Sequence, residues 1–204
     1  MKFRFSTLAS LLLVASPLFL APAHASDPKG SFVLRGAGSQ VCPAFMTTIN
    51  SRDQAASTTY LAWLQGYVSA HNRLLQDTFD VVPTANPADF MGVVKAICEK
   101  APQFTVENAA SQAIALLRPV RQNAASPMLK ISHKGKETQI QAAVLLQLET
   151  RLIALGHMRG TASGKATPDL HAAIEKFQRA EKLPVTGHPD LTTLLRAQIA
   201  MAEK

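Results

Sequence analysis

Three amphipathic runs separated by glycines and prolines occupy the last third of this 204-residue chain. In the first, Val144, Leu145, Leu148, Leu152 and Leu155 recur at three- and four-residue steps, which is one face of a helix. Gly156 ends that run as a left-handed cap. A loop with Gly160 and Gly164 follows. Pro168 then falls in the first turn of a second helix, where its missing N–H is tolerated, and Leu170, Ala173, Ile174 and Phe177 face inward. Thr186-Gly187 is a turn, and Pro189 or Asp190 starts a third helix with Leu191, Leu194 and Leu195 inward. The pattern predicts three short helices around one core. About sixty residues is a marginal domain size, so packing on the preceding chain helps to hold it.

The other end of the chain is an address. Lys2 and Arg4 form a positive head, Leu11–Leu20 is an apolar run broken by Ala15, Ser16 and Pro17, and Ala23-His24-Ala25 is a small-x-small cleavage site. Residues 1–25 read as a signal peptide, with an uncleaved anchor as the alternative. A transmembrane helix needs roughly 20 apolar residues. No cysteine follows the run, so lipoprotein attachment there is excluded. The expected mature protein begins near Ser26, has no stable membrane insertion and resides in the periplasm. Removing Lys2 and Arg4 and no acid lowers the net charge from +7 to +5. A modestly basic exported chain suits an anionic envelope. Nucleic acid is not an expected partner, because the basic residues are scattered without interleaved aromatics.

The mature chain of about 180 residues fits one medium domain or two small ones. Its two cysteines, Cys42 and Cys98, most simply form one disulfide in an oxidising compartment; two buried thiols are the alternative. No histidine or carboxylate sits at ligand spacing beside either one, and neither metal nor cofactor is expected. The segment 119–138 reads as a linker, polar and basic between Pro119 and Pro127, with Met128, Leu129 and Ile131 as a short extended piece that docks on one domain.

The first domain, 26–118, reads as helical. Phe32-Val33-Leu34 is a short strand or packed arm, and Cys42-Pro43 opens a helix. Tyr60, Leu64, Tyr67 or Val68, His71 and Leu74 or Leu75 recur at helical spacing. Pro87 starts a helix with Phe90, Val94, Ile97 and Cys98 on one side, and Thr105 caps a last helix ending near Leu117. Gly66 inside a helix costs about 1 kcal/mol relative to alanine, which predicts close approach of a neighbour there. Trp63, Tyr67 and Tyr60 read as core residues with satisfied polar tips, and His71 and Asn72 as helix-end hydrogen-bonders.

The order Cys42, Trp63, Gly66, Tyr67, Asn72, Cys98 resembles small exported proteins of the Rap/Tai immunity type and, more distantly, HdeA-type acid-stress proteins, over residues 31–118. The C-terminal domain, 139–204, resembles the peptidoglycan-binding family over residues 140–196. Leu152, Leu155-Gly156, Gly160, Gly164, Pro168, Ala172-Ala173-Ile174, Phe177-Gln178, Leu183, Thr186-Gly187, Asp190 and Leu194 carry that resemblance without gaps. Departures are Glu149 for a glutamine, His157 for an aromatic, Ser163 for an aspartate, Thr167 for a glycine, Leu170 for a threonine and Lys182 for a glycine. The resemblance implies an all-α fold: a small disulfide-closed bundle followed by a three-helix peptidoglycan-binding-like domain. It implies peptidoglycan as partner, in a groove walled by the loop 156–167.

The candidate binding groups are His157, Arg159, Ser163, Lys165 and Thr167, which either meet ligand or are solvated loop residues. Gln178 either reaches a ligand or bridges loop backbone groups inside the fold.

No catalytic set is expected. The mature histidines 71, 133, 157, 171 and 188 have no ligand-like pattern, and no G-x-S-x-G elbow occurs. Glu99, Glu107 and Glu149 sit in ordinary amphipathic contexts rather than reading as a glycosidase acid. The sequence thus predicts an exported, non-catalytic envelope protein that binds peptidoglycan and presents its helical domain to another envelope protein. The alternative is a periplasmic protective protein, an immunity protein, inhibitor or acid-stress chaperone, localised by its wall module.

Overall fold

The computed structural model describes residues 31–51 and 53–204, so the expected signal peptide lies outside the described residues. Seven helices and one hairpin are seen among them. The first four helices are α1 (Cys42–Asn50), α2 (Gln54–Leu74), α3 (Pro87–Lys100) and α4 (Val106–Leu117). Side chains fix three of their starts. Asp53 accepts from the Ala56 N–H, Asn86 from the Ala88 N–H, and Thr105 and Asn108 form a reciprocal capping box. Each such cap stabilises a helix by about 1 kcal/mol.

The four helices close on Phe45, Leu64, Phe90, Val94, Val106 and Leu117, all essentially inaccessible. Cys42 and Cys98 are bonded, tying the first turn of α1 to the end of α3. Trp63 lies over a short 3-10 turn, Gly36–Ser39, and donates through Nε1 to the Arg35 carbonyl. A β-carbon on Gly38 would sit 2.0 Å from the indole, so only glycine fits beneath it. The Tyr67 hydroxyl donates to Glu107, and burial followed by this carboxylate pushes the phenol well above its ordinary value.

Two expectations for this region fail. Gly66 is exposed and a β-carbon there would meet open space, so no close neighbour explains it. Phe32 and Val33 form no strand and are 59% and 77% exposed.

The all-α expectation is corrected by an antiparallel hairpin, β1 (Met128–His133) and β2 (Lys136–Gln141). Lys134 and Gly135 both have positive φ, as a two-residue hairpin turn requires. Alternation sends Ile131 and Ile140 to the buried face, each contributing roughly 1.5–3 kcal/mol. The polar composition of 119–138 hides this strand pair, because only one residue in two needs to be apolar.

The hairpin packs with α5 (Ala142–Ala154), α6 (Pro168–Ala180) and α7 (Leu191–Ala202) around Leu145, Leu148, Leu152, Ile174 and Phe177. Helix α7 serves both clusters. Leu194 and Ala197 belong to the second, while Leu191 and Leu195 pack on the first. No helix among the described residues is long and apolar enough to cross a membrane.

Candidate functional site

Helix α5 ends in a double hydrogen-bonded turn. The Gly156 N–H donates to the Ile153 carbonyl and the His157 N–H to the Leu152 carbonyl, with Gly156 at φ +80°. The turn throws His157 back across the helix end, where its ring meets Phe177 edge-on at 5.3 Å. His157 Nδ1 is buried without a partner. Burial first, then the nearby Lys176 ammonium, lowers the imidazole below its ordinary value, with Glu181 opposing. The ring is therefore held in its neutral form.

From there the loop runs to Thr167, whose hydroxyl caps α6 by accepting from the Leu170 N–H. Between this loop and the first three turns of α6 lies a groove of about 320 Å³ lined by His157, Met158, Arg159, Asp169, Ala172, Ala173 and Lys176. Arg159, Asp169 and Lys176 are on its rim, and Lys176 Nζ reaches the Gly156 carbonyl at 3.5 Å. Two cations, one carboxylate and a helix N-terminus give the groove a net attraction for anions. Its floor, from Met158 and the two alanines, is apolar.

The structure brings His157 and Arg159 together in this groove. It places Ser163 elsewhere: its N–H donates to Glu149 Oε2 at 2.6 Å, and the Gly164 N–H to the same oxygen at 2.7 Å. Ser163 Oγ also accepts from the Lys165 N–H, fixing the middle of the loop, while the Lys165 side chain is exposed. Glu149 is 1% exposed, so its reading as an ordinary amphipathic residue is corrected. It is the strut under the loop.

Gln178 is fully buried and makes five hydrogen bonds inside the fold. Its Oε1 accepts from the Thr186 and Gly187 N–H groups, and its Nε2 donates to Thr186 Oγ1, the His188 carbonyl and Thr193 Oγ1. Of its two expected roles, the geometry is that of the internal bridge. Lys182, where the resemblance had a glycine, stands at φ +57° in the turn after α6, which accounts for the glycine.

Asp169 and Lys176 were missed by the sequence reading. The signal was available: Asp169, Ala172, Ala173 and Lys176 follow i, i+3, i+4, i+7, one face of α6 turned away from most of its buried stripe.

A second unforeseen cluster joins the hairpin to α6. The rings of His133 and His171 stack at 4.1 Å, His171 Nδ1 pairs with the Gly187 carbonyl, and His188 Nε2 pairs with the His133 carbonyl. Glu175 accepts from His133 at 3.0 Å and Lys134 at 2.6 Å. These contacts pull its carboxyl down to about 2. A β-carbon on Gly187, at φ +69°, would lie 2.6 Å from His133 Nε2. Among the described residues no group of His, Cys, Asp and Glu could hold a metal ion.

Residues 142–196 match the family model described as "Putative peptidoglycan binding domain". The match begins at the start of α5 and ends within α7, so it spans Glu149, Gln178 and the groove. It is to a binding family, and it supports peptidoglycan as a partner and association with the cell wall. It lends nothing to the resemblance drawn for residues 31–118. No curated protein and no solved structure matches the chain.

Proposed function

We propose that this is an exported, non-catalytic envelope protein that holds peptidoglycan in the groove between the 156–167 loop and α6. The observation that carries the reading is the coincidence of that groove with the matched segment. Peptidoglycan offers carboxylates, amides and sugar hydroxyls. Arg159 and Lys176 take a carboxylate, His157 in its neutral form meets an amide or hydroxyl, and the alanine floor takes a methyl group. Lys165 stays exposed on the loop outside the groove, and Thr167 caps α6. Ser163 and Gln178 act at one remove, by shaping the loops. The disulfide-closed lobe is the part presented to another envelope protein from the periplasmic side.

The test is co-sedimentation of the full chain with purified sacculi. Arg159→Ala with Lys176→Ala should weaken binding tenfold or more, on the order of 1.4 kcal/mol or greater, without lowering Tm. Undiminished binding by this folded double variant would place the ligand elsewhere.

A further inference from the structure

We propose that a cavity at the junction of the helical lobe and the hairpin is a binding site for a primary ammonium group, distinct from the wall groove. The cavity has about 170 Å³ and is lined by Asp80, Thr84, Gln122, Met128 and Gln141 with two small neighbours. A second polar cavity of about 230 Å³ shares Asp80 and Thr84 and extends toward Asn72 and Asn86.

The backbone aims the acceptors. Asp80 and Gln122 form an antiparallel bridge, with the Gln122 N–H donating to the Asp80 carbonyl at 2.8 Å. Bridged residues send their side chains to the same side of the pair. Thr84 is bridged in turn to Ile140, beside Gln141.

Two side-chain oxygens of the site are buried without a partner. Gln122 is 3% exposed, and its Oε1 has no hydrogen-bond partner; nor does the buried Thr84 Oγ1. A buried acceptor left unpaired destabilises the fold. Asp80 uses Oδ1 to accept from Asn72 Nδ2 and the Val82 N–H, and no cation pairs with its carboxylate among the described residues. Gln141 Oε1 is already engaged by Ser126. A half-buried negative charge beside two orphan acceptors calls for a group with several donors and a positive charge. An alkylammonium has three N–H donors and no acceptor, one for each of Asp80, Thr84 and Gln122. A water molecule would supply two donors and leave the charge unanswered. The larger polar cavity takes the rest of the molecule, so the ligand class is a small polar primary amine. A free amino acid and the side-chain amine of a wall peptide share this chemistry.

The experiment is thermal unfolding of the full chain with methylammonium, tetramethylammonium, sodium or calcium chloride at equal ionic strength, then with L-lysine and with a muropeptide bearing a free side-chain amine. Methylammonium should raise Tm saturably, by roughly 5–10 °C at a hundredfold excess over its Kd. Tetramethylammonium, which has the charge and no donors, should not. Asp80→Asn, which keeps the shape of the loop, and Thr84→Val should each abolish the shift, while the Arg159 and Lys176 double variant should keep it. Measured in that double variant, where the wall groove no longer contributes, preference for L-lysine assigns a free amino acid as ligand, and preference for the muropeptide assigns the wall. Equal shifts from all salts, a shift from sodium or calcium alone, no shift at all, or a shift that survives in folded Asp80→Asn would each overturn the proposal.

Discussion

The two apolar clusters of this chain are held by different means. The first has hydrocarbon at its centre, from Phe45, Phe90, Leu64 and Leu117, with one buried carboxylate, Glu107, accepting from Tyr67, and a covalent tie from Cys42 to Cys98. The second has Glu149, His171, Gln178, His188 and Thr193 buried around its hydrocarbon. Each of those five has a hydrogen bond to a loop, to the hairpin or to the start of α7. Buried polar groups add little net stability when satisfied and cost a great deal when half satisfied. The first region therefore gains stability from its interior, and the second gains geometry. Damage to the first should appear as unfolding, and damage to the second as misplaced loops.

The largest expected effect is on the first region. Replacing Cys42 and Cys98 by serine reopens a 56-residue separation and should cost about 4 kcal/mol in the chain-entropy account. Tm should fall by about 10 °C. A loss under about 2 °C, less than 1 kcal/mol is worth in a chain of this size, would remove the contrast between the two regions.

Next comes Gln178→Leu. It keeps the volume but orphans the Thr186 and Gly187 N–H groups in a buried turn, at a cost of about 3 kcal/mol. Hydrogen exchange at the Gly187 amide should accelerate well beyond the rest of the lobe. Uniform acceleration would mean that Gln178 supports the core rather than the turn.

The Glu149 pair sharpens the point. Both loop N–H groups reach one oxygen, Oε2, so Glu149→Gln can retain both bonds and should stay within about 1 kcal/mol of the parent. Glu149→Leu should cost about 2–3 kcal/mol and lower sacculus binding as well. Equal losses from the two substitutions, measured by denaturant unfolding, would show that charge rather than a single acceptor holds the loop.

Most helices were legible in the sequence, because their caps and apolar spacings are local. Thr105, Pro168 and Asp190 stand at starts that the chain announces, and the apolar face from Val144 to Leu155 reads directly onto the second core. The hairpin was legible only as an extended piece, since its partner strand Lys-Glu-Thr-Gln-Ile-Gln carries one buried apolar residue. The candidate site was half legible. His157 and Arg159 lie in the loop that the glycines mark, but Asp169 and Lys176 enter the groove from a helix face. What sequence could not show was which polar groups turn inward. Glu149 looks like any surface glutamate until Ser163, fourteen residues on, folds over it. His133, His171 and His188 are far apart in the chain, and only the docking of the hairpin on α6 stacks the first two.

The smallest effect concerns that docking and its pH dependence. Glu175 has its carboxyl lowered from an ordinary 4.5 to about 2, first by the hydrogen bond from Lys134 and then by that from His133. A depressed carboxylate stabilises the folded state fully above its unfolded value and loses that contribution as pH falls toward the folded one. The hairpin's attachment through Glu175 should thus be complete above pH 4.5 and vanish as pH falls to about 2. Glu175→Gln should unfold below the parent Tm at about pH 7, and the gap should close between those two values. Because Lys134 is the leading cause, Lys134→Met should move the closing point up toward 4.5 while leaving Gln178 and its turn untouched. A gap that stays constant from neutral pH down to about 2 would assign the role of Glu175 to packing, and the second region would then resemble the first more closely than its buried polar groups imply.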